Sequence, residues 1–512
     1  MGARFMELVL LVACVHGQPH DITSYGAIAG VDTAAMAAIN GAAFAAAVAA
    51  ANASAGGNRS VLVPPGVFAF QPSTPALPGL VNVEIFIEGE FSLFDANLTG
   101  YPGWPNPWVP FSFPNAIGLT LTSTTGRGLL NGRGRLWWWH AILIADHRPN
   151  LFEASGTGIV LRGLTFLNSP AWHVWLAPVA GVLISNCTVR VDIDDQLAAL
   201  RYIGGAAGEA PLVDVLAAAR LIPPSTPRAL AASNLVPSLT DTRNKQLSAA
   251  RIAALPPAIR AAAWFDPAWD ITPPVPMIWA LNTDGFDFSG VNVTVVNCSV
   301  TNFDDSVCVK PSGGSPPTGC TRGIRISDIS VTYGVGVSMG SVPPDVGGNC
   351  IDDVLATRVT FDTPLKALYV KPNPAKGGNA TGSITNIAYE DIVIRDALWW
   401  PIWVGTQQQH QPGGGADTGC SFLFPLGNTT CPTDPEITLA NLTFTRIDII
   451  GGLLSPGVLI ANATNPGTGF VFDGVIVRNS TAWPVAEGYL VQNVRGIATG
   501  GTAPVPPGFV VQ

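Results

Sequence analysis

Two adjacent carboxylates stand out in a chain that carries few charges. The segment TNFDDSVCVK, residues 301–310, places Asp304 beside Asp305 at the start of an apolar, β-branched run. Neighbouring carboxylates repel each other, and removal from water increases the cost of their charges. The pair therefore indicates either a solvated turn, where single aspartates are common, or a working site.

Other polar side chains recur at intervals that suggest a repeating fold. NTDGFD contributes Asn282 and Asp284 upstream of the pair, while YGVGVSMGS and ALYVKP contribute Ser338 and Lys371 downstream. If each interval is one turn of a repeat, these groups stack on one face with Asp304. Carboxylates grouped in this way suit glycoside hydrolysis, in which one protonates the leaving oxygen and another activates water. Their repulsion keeps one of them protonated near neutral pH, as an acid must be.

The elements that position these residues are short β-rich segments bounded by Gly, Asn or Asp. Examples are GIVLRGLTFLNS, GVNVTVVNCSVTN, GIRISDISVTYG, SITNIAYEDIVIRD and ITLANLTFTRIDII. Their uneven spacing indicates a solenoid with variable loops, in which strands stack ~4.8 Å apart. A β-sandwich is the alternative, but the pattern continues without dividing into domain-sized blocks. The sequence predicts an all-β parallel β-helix.

Strand alternation predicts which side chains face the core around the carboxylate pair. Val307 and Val309 point inward. The side chains predicted to point outward on this strand are those of Asp304, Ser306, Cys308 and Lys310. Strict alternation would bury Asp305, so we expect a bend or bulge that turns both aspartates outward. On the later strand the predicted outward residues are Tyr369 and Lys371, and the inward residues are Leu368 and Val370.

The two non-repetitive parts of the chain define its organisation. The Ala-rich segment after Asp32-Thr33 predicts an N-terminal helix that caps the open end of the β-helix. We expect the following divisions: a signal peptide at 1–17, the N-terminal part of the β-helix with its capping helix at 18–195, an Ala/Pro-rich insertion at 196–278, and the C-terminal part with the site at 279–512. We expect the insertion to be irregular, with helical fragments at most. Two alternatives are that it forms a small lid domain or that it is sequence wrongly retained in a gene model.

Composition and the N-terminus predict an exported, soluble monomer. Hydrophobic residues make up 47% and charged residues 12%, which allows a large core, and the net charge of -9 argues against nucleic acid as a partner. Arg4 followed by FMELVLLVACV reads as a signal peptide, although a short buried strand is the alternative. N-x-Ser/Thr sequons spread from Asn52 to Asn479. No later segment is apolar for the ~18 residues that a membrane span needs, so we expect no membrane partner.

The cysteines give a limited disulfide prediction. Of eight cysteines, Cys14 lies in the expected signal peptide, so an odd number remains and at least one thiol is free. Cys420 and Cys431 share a Gly/Pro-rich loop and form the predicted disulfide. No Cys/His spacing indicates a metal site, and we expect no cofactor.

The motifs together resemble glycoside hydrolase family 28, the polygalacturonases and their pectin-cutting relatives. DITSYGA, LLNGRGRLWWWH, RPNLFEASGTGIVLRGLTFLNSPAWHVWL, NTDGFD and DDSVCVK carry the likeness, which covers most of the chain outside the insertion. The resemblance implies a right-handed parallel β-helix that cleaves polysaccharide with inversion. It implies that Asp304 is the general acid and that Asp284 and Asp305 position and deprotonate water.

Two departures from the family pattern bear on the substrate. Gly334-Val335-Gly336 stands where polygalacturonases have Gly-His-Gly, and Tyr369-Val370-Lys371 stands where they have Arg-Ile-Lys. The family histidine supports the aspartates and the arginine helps hold a galacturonate carboxylate, so plain homogalacturonan is a weaker expectation. Rhamnogalacturonan hydrolases are similar in both departures but have Asp-Glu in place of Asp304-Asp305. Lys371 alone can still pair with a uronate carboxylate.

The remaining candidates are aromatic, amide and imidazole groups. We expect Asn282, Tyr369, Lys371 and Gln407 to bind substrate. Trp399, Trp400 and Trp403 either stack on sugar rings or cap the core. The histidines expected to be structural are His140, His147 and His173. The alternatives to a hydrolase are a non-catalytic glycan-binding solenoid and a pectate lyase, which would need a calcium site that no further acidic cluster supplies.

Overall fold

The computed structural model describes residues 18–54, 57–143, 146–192, 280–311, 319–343, 349–373, 381–408, 420, 424–425, 430–452, 454–480 and 484–512. The expected signal peptide at 1–17 and insertion at 196–278 lie outside the described residues.

Strands dominate the described chain. Its α-helices are α1 (Ala34–Ala53) and α2 (Arg135–Leu143), and its 3-10 helices are Ile22–Tyr25 and Leu98–Gly100. The strands before the insertion are β1 (His20–Asp21), β2 (Ser60–Val63), β3 (Val67–Phe70), β4 (Glu84–Ile87), β5 (Glu90–Leu93), β6 (Phe111–Ile117), β7 (Thr120–Thr122), β8 (Gly128–Asn131), β9 (Phe152–Thr157), β10 (Val160–Arg162), β11 (Leu164–Leu167), β12 (Val174–Ser185) and β13 (Thr188–Arg190). The strands after it are β14 (Phe286–Asn302), β15 (Val307–Val309), β16 (Arg322–Tyr333), β17 (Val337–Val342), β18 (Asn349–Asp362), β19 (Leu368–Pro372), β20 (Gly382–Arg395), β21 (Ile402–Val404), β22 (Ile437–Ile450), β23 (Gly457–Ile460), β24 (Gly467–Arg478), β25 (Tyr489–Gln492), β26 (Val494–Thr499) and β27 (Val510–Val511).

Strands from successive turns of the chain pair in parallel. Strand β14 pairs with β16, which pairs with β18, while β15 pairs with β17, which pairs with β19. Each turn therefore adds strands to several parallel stacks at once, which is the arrangement of a parallel β-helix. The predicted fold class is confirmed.

Alternation along the strands builds the core. Val307, Val309, Leu368 and Val370 all belong to one continuous apolar cluster that extends along the β-helix. The inward positions predicted from the sequence are confirmed, because a period of two sends every second side chain to the same face.

Left-handed residues form the corners between strand directions. Asn186 and Asn297 have φ of 54° and 52°, and the Asn297 amide donates to the Asn186 side-chain oxygen over 2.6 Å. Asparagine and aspartate tolerate this backbone region better than most residues, so the corners recur where these residues do. The turns stack through side-chain as well as backbone hydrogen bonds.

Helix α1 covers the N-terminal end of the core, as predicted. Thr33 caps it by accepting from the Met36 N–H over 3.3 Å, and Phe44 packs against Phe70 and Phe91. Among the described helices, α1 alone is long and apolar enough to cross a membrane, but 44% of its most apolar window is buried inside the protein. This packing covers part of the apolar surface of α1.

Two disulfides join described cysteines. Cys420 and Cys431 form the predicted bond, and Cys320 and Cys350 form a second one between adjacent turns. The described cysteines outside these bonds are Cys187, Cys298 and Cys308, all buried. The expectation of at least one free thiol is confirmed.

Candidate active site

The turn between β14 and β15 carries the two adjacent aspartates out of the apolar core. The Asn302 side-chain amide donates to the carbonyl oxygens of Thr283, Asp304 and Asp305 over 3.0, 2.9 and 2.8 Å. Its side-chain oxygen accepts from the Ser306 hydroxyl over 2.9 Å. These hydrogen bonds from Asn302 hold the chain in the expected bend. In the sequence, this role was indicated only by an asparagine at the end of a strand.

The three predicted catalytic carboxylates converge. One oxygen from each of Asp284, Asp304 and Asp305 lies within 4.8 Å of the other two. All three side chains are buried, with Asp304 the most accessible at 7%. The sequence spacing of about one turn per motif therefore places these groups together, as expected.

Asp305 is held by direct contacts on both oxygens. Its Oδ1 accepts from the Ser338 hydroxyl over 2.6 Å, and its Oδ2 forms an ion pair with Lys371. The Lys310 ammonium lies 3.5 Å from the same Oδ2. These contacts favour the ionised form of the Asp305 carboxyl.

Lys310 and Asp287 belong to the site although the sequence analysis gave them no role. The Lys310 ammonium lies 3.0 Å from Asp287 and 3.7 Å from Asp284. Their sequence signals were the outward position of Lys310 and the placement of Asp287 in NTDGFD. Register pairs Asp287 with Cys308, two residues before Lys310, which brings the two side chains together.

The carboxylates have opposed proton affinities. Burial opposes ionisation of Asp305, but the charges of Lys371 and Lys310 and the hydrogen bonds from Lys371 and Ser338 lower its pKa to about 2. Burial and then the Asp304 and Asp287 charges raise the pKa of Asp284 well above its usual value. Burial, followed by the Asp305 charge, raises the pKa of Asp304. The site thus holds one firmly ionised carboxylate next to two groups that favour protonation.

Asp287 completes the electrostatics of the cluster. Burial is the largest influence on this carboxyl and raises its pKa to about 6, against the opposing charge of Lys310. The site carboxylates could each offer an oxygen to a cation, but the ammonium groups of Lys310 and Lys371 already compensate charge there.

Residues 268–421 match the family model described as Glycosyl hydrolases family 28. This segment contains both aspartate motifs. The resemblance to glycoside hydrolase family 28 is confirmed.

Two curated relatives match over shorter stretches. A probable endo-xylogalacturonan hydrolase A of Aspergillus fumigatus is 31% identical over 115 residues, which is 22% of this chain and 26% of that protein. Its counterpart in Emericella nidulans is 29% identical over 161 residues, which is 30% of this chain and 38% of that protein. The matches thus span well under half of the length of either relative.

Solved structures share the fold over nearly the whole chain. The endo-xylogalacturonan hydrolase from Aspergillus tubingensis superposes with a TM-score of 0.52 at 18% identity, covering 92% of this chain and 94% of that one. The polygalacturonase from Erwinia carotovora gives a TM-score of 0.52 at 14% identity, covering 95% of both chains. At these identities the likeness concerns the fold.

The first departure from the family 28 pattern leaves no titratable group in place of the histidine. Val335 donates its backbone N–H to the Asp304 carbonyl over 2.7 Å, and its side chain packs in an apolar cluster with Phe303. His173, by contrast, lies under Asp284, with its Nδ1 2.9 Å from the Asp284 carbonyl oxygen. Burial lowers the pKa of His173 to about 4, so the ring is neutral and structural, as expected.

Tyr369, the second departure, is covered by other parts of the protein, and its predicted contact with substrate stays a prediction. Its ring is fully buried, and its hydroxyl accepts from the Gln408 N–H over 2.6 Å. The ammonium groups of Lys366 and Lys371 lie 4.7 and 4.9 Å from its ring centroid. Strand alternation places Tyr369 outside the main core, but other segments cover its side chain there. Its ring therefore packs beside the Lys371 ammonium group.

Two further predicted substrate contacts are also engaged within the protein. Lys371 is 2% exposed and is paired with Asp305, so its predicted contact with a uronate carboxylate stays a prediction. Asn282 donates to the Asp304 Oδ2 over 3.3 Å while its own oxygen accepts from Arg148 over 2.9 Å. Both side chains therefore bond to carboxylates of the cluster.

The downstream tryptophans pack inside the protein, which is the second of the two alternatives predicted for them. Trp399, Trp400 and Trp403 are at most 4% exposed and lie in the apolar cluster that contains Val335. Gln407 is only partly buried and bonds to the Ser341 hydroxyl, so its contact with substrate stays a prediction.

Proposed function

We propose that this chain is a glycoside hydrolase that cleaves pectic or other uronate-containing polysaccharide. The observation that carries the proposal is the carboxylate cluster, in which one oxygen of each carboxyl lies within 4.8 Å of the others and the pKa of Asp305 is lowered while those of Asp304 and Asp284 are raised. Hydrolysis of a glycosidic bond needs an acid and a base that coexist at one pH, and opposed environments provide them.

In the proposed mechanism Asp304 is the general acid. Burial and the Asp305 charge raise the pKa of Asp304, which favours retention of its proton, and Asp304 is the most accessible of the three carboxyls. As the bond from the anomeric carbon to the leaving oxygen breaks, that oxygen takes the Asp304 proton. The raised pKa therefore serves the step directly.

Asp305 accepts a proton from the attacking water. The water oxygen bonds to the anomeric carbon while its proton moves to the ionised carboxylate, which Lys371 and Ser338 hold in place. Asp284, whose pKa is raised by burial and by neighbouring carboxylates, positions the water as a hydrogen-bond donor or acceptor. Transfer of a proton through solvent then restores the resting state.

The proposed reaction inverts the anomeric centre, as the family resemblance implies. Proton NMR of the first product formed from a pectic oligomer would decide this point. Initial release of the opposite anomer supports inversion, whereas initial release of the same anomer contradicts it.

Xylogalacturonan is the first polymer to test, because it appears in the names of both curated relatives. Rhamnogalacturonan is the second, since Val335 and Tyr369 depart from the polygalacturonase pattern in the same way as in that branch. We further propose that the enzyme is exported and acts as a monomer on extracellular polysaccharide, with the segment at 1–17 as its signal peptide.

The deciding experiment measures reducing sugar released from xylogalacturonan, rhamnogalacturonan and homogalacturonan. We expect release from at least one polymer, and a fall of about 100-fold or more in kcat for Asp304→Asn, because that change removes the general acid. Equal release by wild type and Asp304→Asn would refute the assignment. Binding without release from any polymer would favour the glycan-binding alternative.

A further inference from the structure

Strand β12 presents an accessible aromatic residue next to the carboxylates. Val174 and Leu176 lie in the main core, so Trp175 between them points outward, where it is half-buried. Register pairs Trp175 with Asp287 on one side and with Glu153 on the other. Its ring therefore lies one strand away from the site, on the N-terminal side.

A second tryptophan and an ammonium group adjoin this ring. Trp172 is also half-buried, and its ring centroid lies 5.2 Å from that of Trp175. The Lys310 ammonium lies 5.0 Å from the Trp172 centroid. The two tryptophan rings thus lie next to each other, and that of Trp172 lies beside the Lys310 ammonium group, which contacts the carboxylate cluster.

Exposure distinguishes this side of the site from the other. The Lys310 side chain is 16% exposed, whereas that of Lys371 is 2% exposed and paired with Asp305. Trp403, which occupies the equivalent outward register beyond Tyr369, is fully buried. Trp172, Trp175 and Lys310 are thus partly accessible beside the carboxylates, whereas Lys371 and Trp403 are covered.

We propose that Trp172, Trp175 and Lys310 form a binding subsite for a uronate unit of the polysaccharide, a proposal that rests on the proposed function. The apolar C–H face of a pyranose ring packs on an aromatic face, and the sugar carboxylate pairs with the ammonium group. In this proposal Lys310 pairs with the uronate carboxylate and Trp172 and Trp175 pack on the sugar ring. The sequence analysis had considered Lys371 and the downstream tryptophans for these contacts.

The exposed side of Lys310 is where this anion can bind. Lys310 contacts Asp284, Asp287 and Asp305, and burial with neighbouring charges raises the pKa of Asp284 well above its usual value. Asp305 is engaged by Lys371, while 16% of the Lys310 side chain is exposed, so Lys310 is the accessible ammonium group on this side. A uronate carboxylate can therefore approach the exposed side of Lys310.

The test is binding to the Asp304→Asn protein, which retains ligand without turnover. Tryptophan fluorescence is titrated with a galacturonate oligomer and with its methyl ester. We expect quenching by the acid, a roughly tenfold weaker Kd in Trp175→Ala and Trp172→Ala, and partial recovery in Trp175→Phe. Lys310→Met should lose the preference for the acid over the ester. Trp399→Phe, which changes a buried ring, is the matched control and should keep wild-type affinity.

The outcomes separate this inference from the proposed function. Unchanged affinity in both tryptophan variants, with circular dichroism confirming folding, overturns the subsite even if the wild-type enzyme hydrolyses pectic polymers. Weakened affinity in those variants supports the subsite even if no polymer is cleaved, and in that case the hydrolase assignment fails alone. Unchanged acid preference in Lys310→Met overturns the role of the ammonium group.

Discussion

Replacement of Lys371 by methionine tests the electrostatic basis of the site. The ammonium is 2% exposed and bonds Asp305, whose pKa is lowered from 3.8 to about 2. Each pKa unit corresponds to about 1.4 kcal/mol, so the Asp305 environment contributes on the order of 2 kcal/mol at neutral pH. Methionine keeps the side-chain length but leaves Asp305 with only Ser338 and the more distant Lys310 as partners.

The sign of the pH dependence follows from the lowered pKa. The stabilisation is complete above the unfolded value of 3.8 and is lost as the pH falls toward about 2. In Lys371→Met the Asp305 pKa rises, so the acidic limb of the pH–kcat profile should move to higher pH. Loss of one partner of a buried pair should also lower the free energy of unfolding by about 3 kcal/mol at pH 7.

Two assays check these expectations. The pH–kcat profile is measured on a soluble pectic polymer, and urea unfolding is followed at pH 7 and pH 3. Arg358→Met is the control, because it breaks an exposed pair with Asp328 far from the carboxylate cluster and should leave the acidic limb in place. If Lys371→Met has the acidic limb of the wild type, the assignment of Asp305 as the base that Lys371 keeps ionised is wrong.

Three further changes test other parts of the structure. Arg148→Met removes the donor to the Asn282 side-chain oxygen. We expect kcat to fall about tenfold with KM nearly unchanged, and we expect the basic limb of the pH–kcat profile to move to higher pH, with partial rescue by Arg148→Lys. A purely structural loss would leave the pH profile unshifted. Gly336→Ala would place a Cβ 2.0 Å from the Ala367 carbonyl oxygen at a backbone φ of 79°. The free energy of unfolding measured in urea should therefore fall by roughly 2–4 kcal/mol, and a fall below about 0.5 kcal/mol would contradict the close approach. Phe44→Ala removes the buried ring of the capping helix and should cost about 3–5 kcal/mol in the same assay without changing the pH profile.

The sequence by itself determined the repeating fold and the meeting of Asp284, Asp304 and Asp305. Alternating apolar residues on β15 and β19 predicted which side chains enter the core, because the period of a strand is independent of distant residues. Motifs about one turn apart predicted that Asp284, Asp304 and Asp305 meet, because stacking converts spacing along the chain into proximity. Both inferences needed only local rules applied repeatedly.

Tertiary structure decided what each polar group contacts. Alternation placed Tyr369 and Lys371 outside the core, yet both are covered there, while Lys310 and Trp175 remain partly accessible. Arg148 reaches Asn282 across 134 residues of sequence. Strand period fixes the face on which a side chain lies, but burial and partner choice depend on segments brought together only when the whole chain folds.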